Sequence, residues 1–292
     1  MFSNPSHIQE LITQLPCNHA GVMSSNDFNQ LLREPGRQSE SQGFVPKLQA
    51  IHTLPVAVSD FLSSAELSTS LHSVRVAMMS RISAQVMQLG KWQQNSIELS
   101  GLAHDLGKQI PEVSHIINNG RALTAGEREI VNKHAQYGFE LIYNSHPSGE
   151  AGLKNRLGTF MGNVALDVLF SHSHATDVEQ RGLSKEYLDE LIEKSIVSEH
   201  DAVHHKASVS AQLVAVADVV DALLSTGPER AYRSERRMIE NRPMEIDPKV
   251  LPSVVAEIID VPAIDITKVV STLVGRYDAV SREAQRYLRS IR

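Results

Sequence analysis

The adjacent pair His104 and Asp105 presents an imidazole nitrogen and a carboxylate oxygen from one point of the chain. Iron, manganese and zinc all accept such mixed nitrogen and oxygen donors. The dipeptide alone is common, but its surroundings give it weight. Intervals of 32, 29 and 38 residues separate His72 from His104, Asp105 from His134, and His134 from His172, each long enough to bring a further helix back to one centre. Asp218 lies in the unusually apolar run Leu213-Val-Ala-Val-Ala-Asp-Val-Val-Asp-Ala-Leu-Leu224, where an unpaired carboxylate is costly to bury. A metal would remove that cost; a helix cap or an arginine pair is the alternative. His204 and His205 read as a polar loop pair, and Met78, Met79 and Met87 as packing residues.

The elements that must carry these residues are helical. Aromatic residues make up 5% of the chain and alternating β-branched runs are nearly absent, whereas apolar residues recur three or four apart. Leu71, Val74, Met78, Ile82, Val86 and Leu89 mark one helix face beside His72, with Gly90 as the expected stop. A second helix runs from about Ser96 to His104. Thr124 followed by Glu127 is a capping-box signature, and it opens a helix in which Ile130, Val131, Leu141 and Ile142 flank His134. Leu157 to Phe170 delivers His172 and His174 just past its end. Further helices are expected over Ser184 to Ile196, Ser208 to Leu224, Lys249 to Ile259 and Ile264 to Leu288. Residues 1–60 form an N-terminal segment of unknown role, with short helical pieces near Ile8 to Leu15 and Asp27 to Leu32. Ile51 to Val58 is ambiguous between strand and linker.

Five strings, His72-Ser-Val-Arg-Val-Ala, Leu102-Ala-His-Asp-Leu-Gly-Lys108, Leu123-Thr-Ala-Gly-Glu-Arg-Glu-Ile130, Lys133-His-Ala-Gln-Tyr-Gly138 and Val214-Ala-Val-Ala-Asp-Val-Val-Asp-Ala-Leu223, resemble the successive motifs of HD-superfamily phosphohydrolases. More narrowly they resemble the HD-GYP branch, in the family's order from about Leu71 to Arg233. The resemblance implies an all-α HD-domain helical bundle over residues 61–292, with extra N-terminal and C-terminal helical segments. It also implies two or three metals and hydrolysis of cyclic dinucleotides, cyclic di-GMP above all. Carried over, His72, His104, Asp105, His134 and Asp218 match metal ligands, with Asp105 as the bridging carboxylate; Lys108 matches a substrate-phosphate lysine. His172, then His174, stand where the family has a histidine run. Arg230 and Arg233 fall where the family has an arginine-containing loop. The Gly-Tyr-Pro signature is absent, replaced by the longer segment Ala175 to Lys206. Ser68 stands where trinuclear members carry a glutamate, so two divalent metals are expected, iron or manganese ahead of zinc.

Composition narrows the function classes. Of the 292 residues, 41% are apolar and 21% charged, an ordinary balance for a folded protein. The net charge of -6 gives no basic field for a nucleic-acid polymer. Cys17, the one cysteine, excludes an internal disulfide and a cysteine-built zinc site. Neither a membrane span nor a secretory signal is apparent, and a cytoplasmic setting is expected. The expected function is a phosphodiesterase that cleaves a cyclic dinucleotide with a water activated by two metals, Asp105 being placed to take a proton and Lys108, Arg230 and Arg233 to hold phosphate. Another HD phosphohydrolase, or a signalling protein that binds without turnover, are the alternatives. The helix over Ser184 to Ile196 is expected to cover the site's mouth, a partner subunit or the outer core.

Overall fold

The computed structural model describes residues 56–65, 67–119, 121–144, 160–172, 183–194, 196–199, 208–225, 249–259, 261 and 264–291. Among these there are eleven α-helices, one short 3-10 turn and no strand. The helices are α1 (Val56–Ser64), α2 (Leu67–Val86), α3 (Lys91–Ala103), α4 (Pro111–Ile117), α5 (Ala125–Asn132), α6 (His134–Asn144), α7 (Phe160–Phe170), α8 (Lys185–Glu193), α9 (Val209–Leu224), α10 (Leu251–Ile258) and α11 (Ile266–Ile291). The 3-10 turn, Leu106–Gln109, follows α3 directly. The segments expected near Ile8 to Leu15 and Asp27 to Leu32 lie outside the described residues. No described helix is long and apolar enough to cross a membrane.

α2 is the axis of the bundle, packed along α3, α9 and α11. Thirteen of its residues, from Ser70 to Ala84, are buried on every side of the helix. Close approach needs small residues, and a Cβ on Gly101 of α3 would stand 2.9 Å from the Cα of Ala77. Polar residues on so enclosed a helix need partners. Arg81 reaches Glu98 at 2.6 Å and Asn95 at 2.8 Å, both on α3. α9 packs against α2, α3, α7 and α11, and its Leu213, Val214, Val216, Ala217 and Val220 belong to one continuous apolar core with α1 through α3.

Three boundaries differ from the sequence expectation. Val56 to Val58, ambiguous between strand and linker, begin α1, which crosses position 60 and buries Val58, Phe61 and Leu62 in the common core. Gly90 does not stop α2: the helix ends at Val86, with Gln88 in the left-handed region at φ 57°. The Leu89 N–H reaches back to the Ala84 carbonyl at 3.0 Å, closing a Schellman turn. Gly90 instead opens α3, five residues before the expected start, its N–H bound by the Gln93 side chain at 3.0 Å. Finally, the helix expected around His134 is two helices broken at Lys133, whose N–H is shared by the Ile130 and Val131 carbonyls. The Thr124 capping box at the start of α5 is present as read, with the Glu127 N–H on Thr124 Oγ1 at 3.3 Å and the Thr124 N–H on Glu127 Oε2 at 2.9 Å.

Candidate metal centre

Three helix ends and two helix interiors bring six side chains to one buried point. His72 comes from the middle of α2, His104 and Asp105 from the C-terminal end of α3, His134 from the first residue of α6, His172 from just beyond α7, and Asp218 from α9. His104 and Asp105 are fully buried; Asp218 keeps 21% of its side chain exposed, so the point opens toward solvent on the α9 side. Donor atoms of His72, His104 and Asp218 lie within 4.8 Å of one another, as do those of His104, Asp105 and His172.

The turn after α3 sets this arrangement. A Cβ on Gly107 would stand 1.9 Å from the His134 carbonyl oxygen and 2.7 Å from the Gly138 nitrogen, so only glycine lets the 3-10 turn lie against α6. That contact puts Asp105 Oδ1 3.4 Å from His134 Nε2. Because α5 ends at Asn132, the Val131 carbonyl lies at a helix terminus and, besides its share of the Lys133 N–H, accepts from His134 Nδ1 at 2.7 Å. The Gly101 carbonyl likewise accepts from His104 Nδ1 at 2.8 Å. His72 Nδ1 faces Asp221 Oδ2 at 2.7 Å. In each of these three rings Nδ1 is the donor, and Nε2 faces the centre.

The Nε2 atoms of His72 and His104 stand 3.2 Å apart, and those of His134 and His172 3.0 Å. The two pairs bring four ring nitrogens close together in the buried interior. The carboxylates straddle the rings. Asp105 Oδ1 lies 3.6 Å from His104 Nε2 and Oδ2 3.7 Å from His72 Nε2; Asp218 Oδ1 lies 3.2 Å from His72 Nε2, and its Oδ2 3.8 Å from His172 Nδ1. Asp105 Oδ1 is buried with no hydrogen-bond donor. Converging ring nitrogens and an unsatisfied carboxylate oxygen are what a divalent cation resolves. The donor set, imidazole nitrogen with carboxylate oxygen and no thiolate, fits iron, manganese or zinc.

Protonation is consistent with that fit. Burial pushes His104 and His172 below the ordinary histidine range, leaving neutral rings with available lone pairs at neutral pH. Burial acts on His72 in the same direction, but hydrogen bonds to Asp218 and Asp221 outweigh it and raise this ring. Burial opposes ionisation of Asp105 and Asp218, yet both are held well below the usual carboxylate range, Asp105 chiefly by the Lys108 ammonium and Asp218 by His72. Lys108 Nζ donates to Asp105 Oδ2 at 2.5 Å.

Of the residues singled out in the sequence, the structure gathers His72, His104, Asp105, Lys108, His134, His172 and Asp218. His174, Arg230 and Arg233 lie outside the described residues, as do His204 and His205. Arg75, Asp221 and Tyr277 were not singled out: Arg75 Nε and the Tyr277 hydroxyl meet Asp221 Oδ1 at 2.6 and 2.9 Å. Arg75 follows His72, and Asp221 follows Asp218, by three residues each, so helical spacing alone puts each on the face of its neighbour. α8 packs Leu188 and Leu191 into the core, and Tyr187 bonds Glu140 on α6. It thus stands on the bundle beside α6.

No protein-family model matches the chain. Among curated proteins, it is 28% identical over 160 residues to the cyclic di-GMP phosphodiesterase response regulator RpfG of Xanthomonas campestris pv. campestris (strain 8004). The aligned stretch takes in 55% of this chain and 34% of that relative, so the similarity spans about a third of the relative's length.

Proposed function

We propose that the chain is a metal-dependent phosphohydrolase of the HD-GYP type, cleaving a phosphodiester of a cyclic dinucleotide, with cyclic di-GMP the first candidate. The observation that carries this reading is the buried cluster in which the Nε2 atoms of His72 and His104 converge to 3.2 Å while Asp105 Oδ1 has no donor. Its similarity to a cyclic di-GMP phosphodiesterase regulator supports the substrate class. His72, His104, Asp105, His134, His172 and Asp218 would hold two divalent ions, iron or manganese ahead of zinc, with Asp105 and Asp218 reaching across the set. Such ions supply Lewis acidity toward a phosphoryl oxygen and lower the pKa of an attacking water.

The protein's own contribution is placement and charge. Asp105, held ionised by Lys108 and the surrounding imidazoles, presents a carboxylate that would anchor the ions. Lys108, whose ammonium lies on Asp105 Oδ2 at 2.5 Å, would also contact a non-bridging phosphate oxygen of a bound substrate. Arg230 and Arg233 are proposed as further phosphate contacts. The reading places the protein in the cytoplasm, where such ligands circulate.

The test is elemental analysis together with product analysis on cyclic dinucleotides and mononucleotides. About two ions per chain are expected, and Asp105→Ala should lose both, since one carboxylate serves the two. Metal content unchanged in Asp105→Ala overturns the site. Metal with no turnover on any of the panel would favour a binding protein, which the missing Gly-Tyr-Pro signature also favours.

A further inference from the structure

We propose that Tyr277, on the C-terminal helix α11, is a positioning residue of the metal centre, acting through Asp221 on His72. The inference rests on the metal-centre reading above and deepens it. Asp221 is fully buried, one helical turn beyond Asp218 on α9. Its Oδ2 accepts from His72 Nδ1 at 2.7 Å, which commits that nitrogen as a donor and leaves Nε2 for the centre.

A carboxylate rotates readily about its terminal torsion, so the hydrogen bond to His72 is only as well aimed as the other oxygen is held. Arg75 holds it from one side, with Nε on Oδ1 at 2.6 Å and Nη2 on Oδ2 at 3.0 Å. Arg75 and His72 both belong to α2, so these bonds fix the carboxylate to α2 alone. The Tyr277 hydroxyl donates to Oδ1 at 2.9 Å from a different helix. Four donors then fill the carboxylate's acceptor positions, and α2, α9 and α11 are tied at one group.

α11 can carry this load because it is anchored independently. Val269, Val270, Leu273, Val280, Ala284 and Leu288 are buried along one stripe against the rest of the bundle, and Tyr277 sits in that stripe. The C-terminal helix lies beyond the run of motifs from Leu71 to Arg233, yet it reaches the ring whose Nε2 faces His104, Asp105 and Asp218.

A tyrosine that merely satisfies a buried carboxylate would affect folding and nothing else. The discriminating measurement is Co2+ binding to the full chain, read by visible absorption and by chelator competition. The variants are Tyr277→Phe, Asp221→Asn, the two combined, and His72→Ala. Tyr277→Phe should weaken Co2+ affinity about ten-fold and change the visible spectrum, and Asp221→Asn should weaken it by about ten- to a hundred-fold. If Tyr277 acts through Asp221, the combined variant loses no more than Asp221→Asn alone. Wild-type affinity and spectrum in Tyr277→Phe, or losses that multiply in the combined variant, overturn the proposal while leaving the metal centre standing. A wild-type chain that takes up no Co2+, or a His72→Ala chain that binds it as tightly as wild type, overturns the metal centre itself and the proposal with it.

Discussion

His72, His104 and His134 are turned by one device: Nδ1 gives its proton to a fixed oxygen, so Nε2 faces the centre. For His104 and His134 the oxygen is a carbonyl three residues back, at a helix end. Lys108 sits beside this array as the counter-charge of Asp105. A protonated ammonium has no lone pair, so Lys108 cannot ligate a metal, and under the proposed function its part is toward the anionic substrate. Lys108→Ala should therefore leave metal content unchanged and lower phosphodiester hydrolysis by about a hundred-fold, the scale for losing one charge-stabilising donor. Elemental analysis and product formation on the same preparation check it; wild-type turnover would reduce Lys108 to a structural partner of Asp105. The residues that meet at this point were legible in the sequence as imidazoles and carboxylates recurring at intervals that bring successive helices back to one place. Asp221 was passed over because a second carboxylate on an apolar helix looks like its neighbour until Arg75 and Tyr277 are seen to meet it.

Helix existence could be read from apolar spacing, but helix ends turned on contacts that no local pattern contains. The break at Lys133 comes one residue before His134, whose carbonyl packs against Gly107 of the 3-10 turn, a contact from a distant part of the chain. The end of α2 illustrates a different failure. Gly90 is the obvious stop, yet the left-handed position falls on Gln88, a residue that adopts φ 57° only under strain. Gln88→Gly relieves that strain and gives part of the gain back as unfolded-state entropy. The expected net gain is about 0.5–1 kcal/mol, or about 1–3 °C in the thermal midpoint for a chain of this size. A calorimetric scan in which the variant melts at or below wild type would show that the Schellman turn carries no strain.

Across the molecule, the all-helical architecture and the path of the chain back to one centre were legible. The polar joint between its layers was not. Asp167 on α7 is 3% exposed and lies between Ser100 of α3 and Ser208, the residue that caps α9. Each serine oxygen is 3.0 Å from one carboxyl oxygen, and Ser100 Oγ is also 2.9 Å from the Ser96 carbonyl, which takes the one proton that hydroxyl has. A neutral Asp167 satisfies the chain: it accepts from Ser208 and donates to Ser100, which donates to Ser96. Burial accordingly pushes Asp167 up to about 7, against the hydrogen bond from Ser208 that lowers it. The sign follows. The folded protein holds this proton up to about pH 7 while the unfolded chain releases it near pH 4, so the contribution is full below about pH 4 and is lost as pH rises through 7, a matter of a few kcal/mol. Asp167→Asn keeps both bonds, with its carbonyl accepting from Ser208 and its amide donating to Ser100, and cannot ionise. The variant should therefore gain on wild type between pH 5 and about pH 7 in urea unfolding, and the gain should level off by pH 8. An offset between the two that is the same at both ends of that range would mean Asp167 is buried as an ion, and the joint between α3, α7 and α9 would need another source of charge.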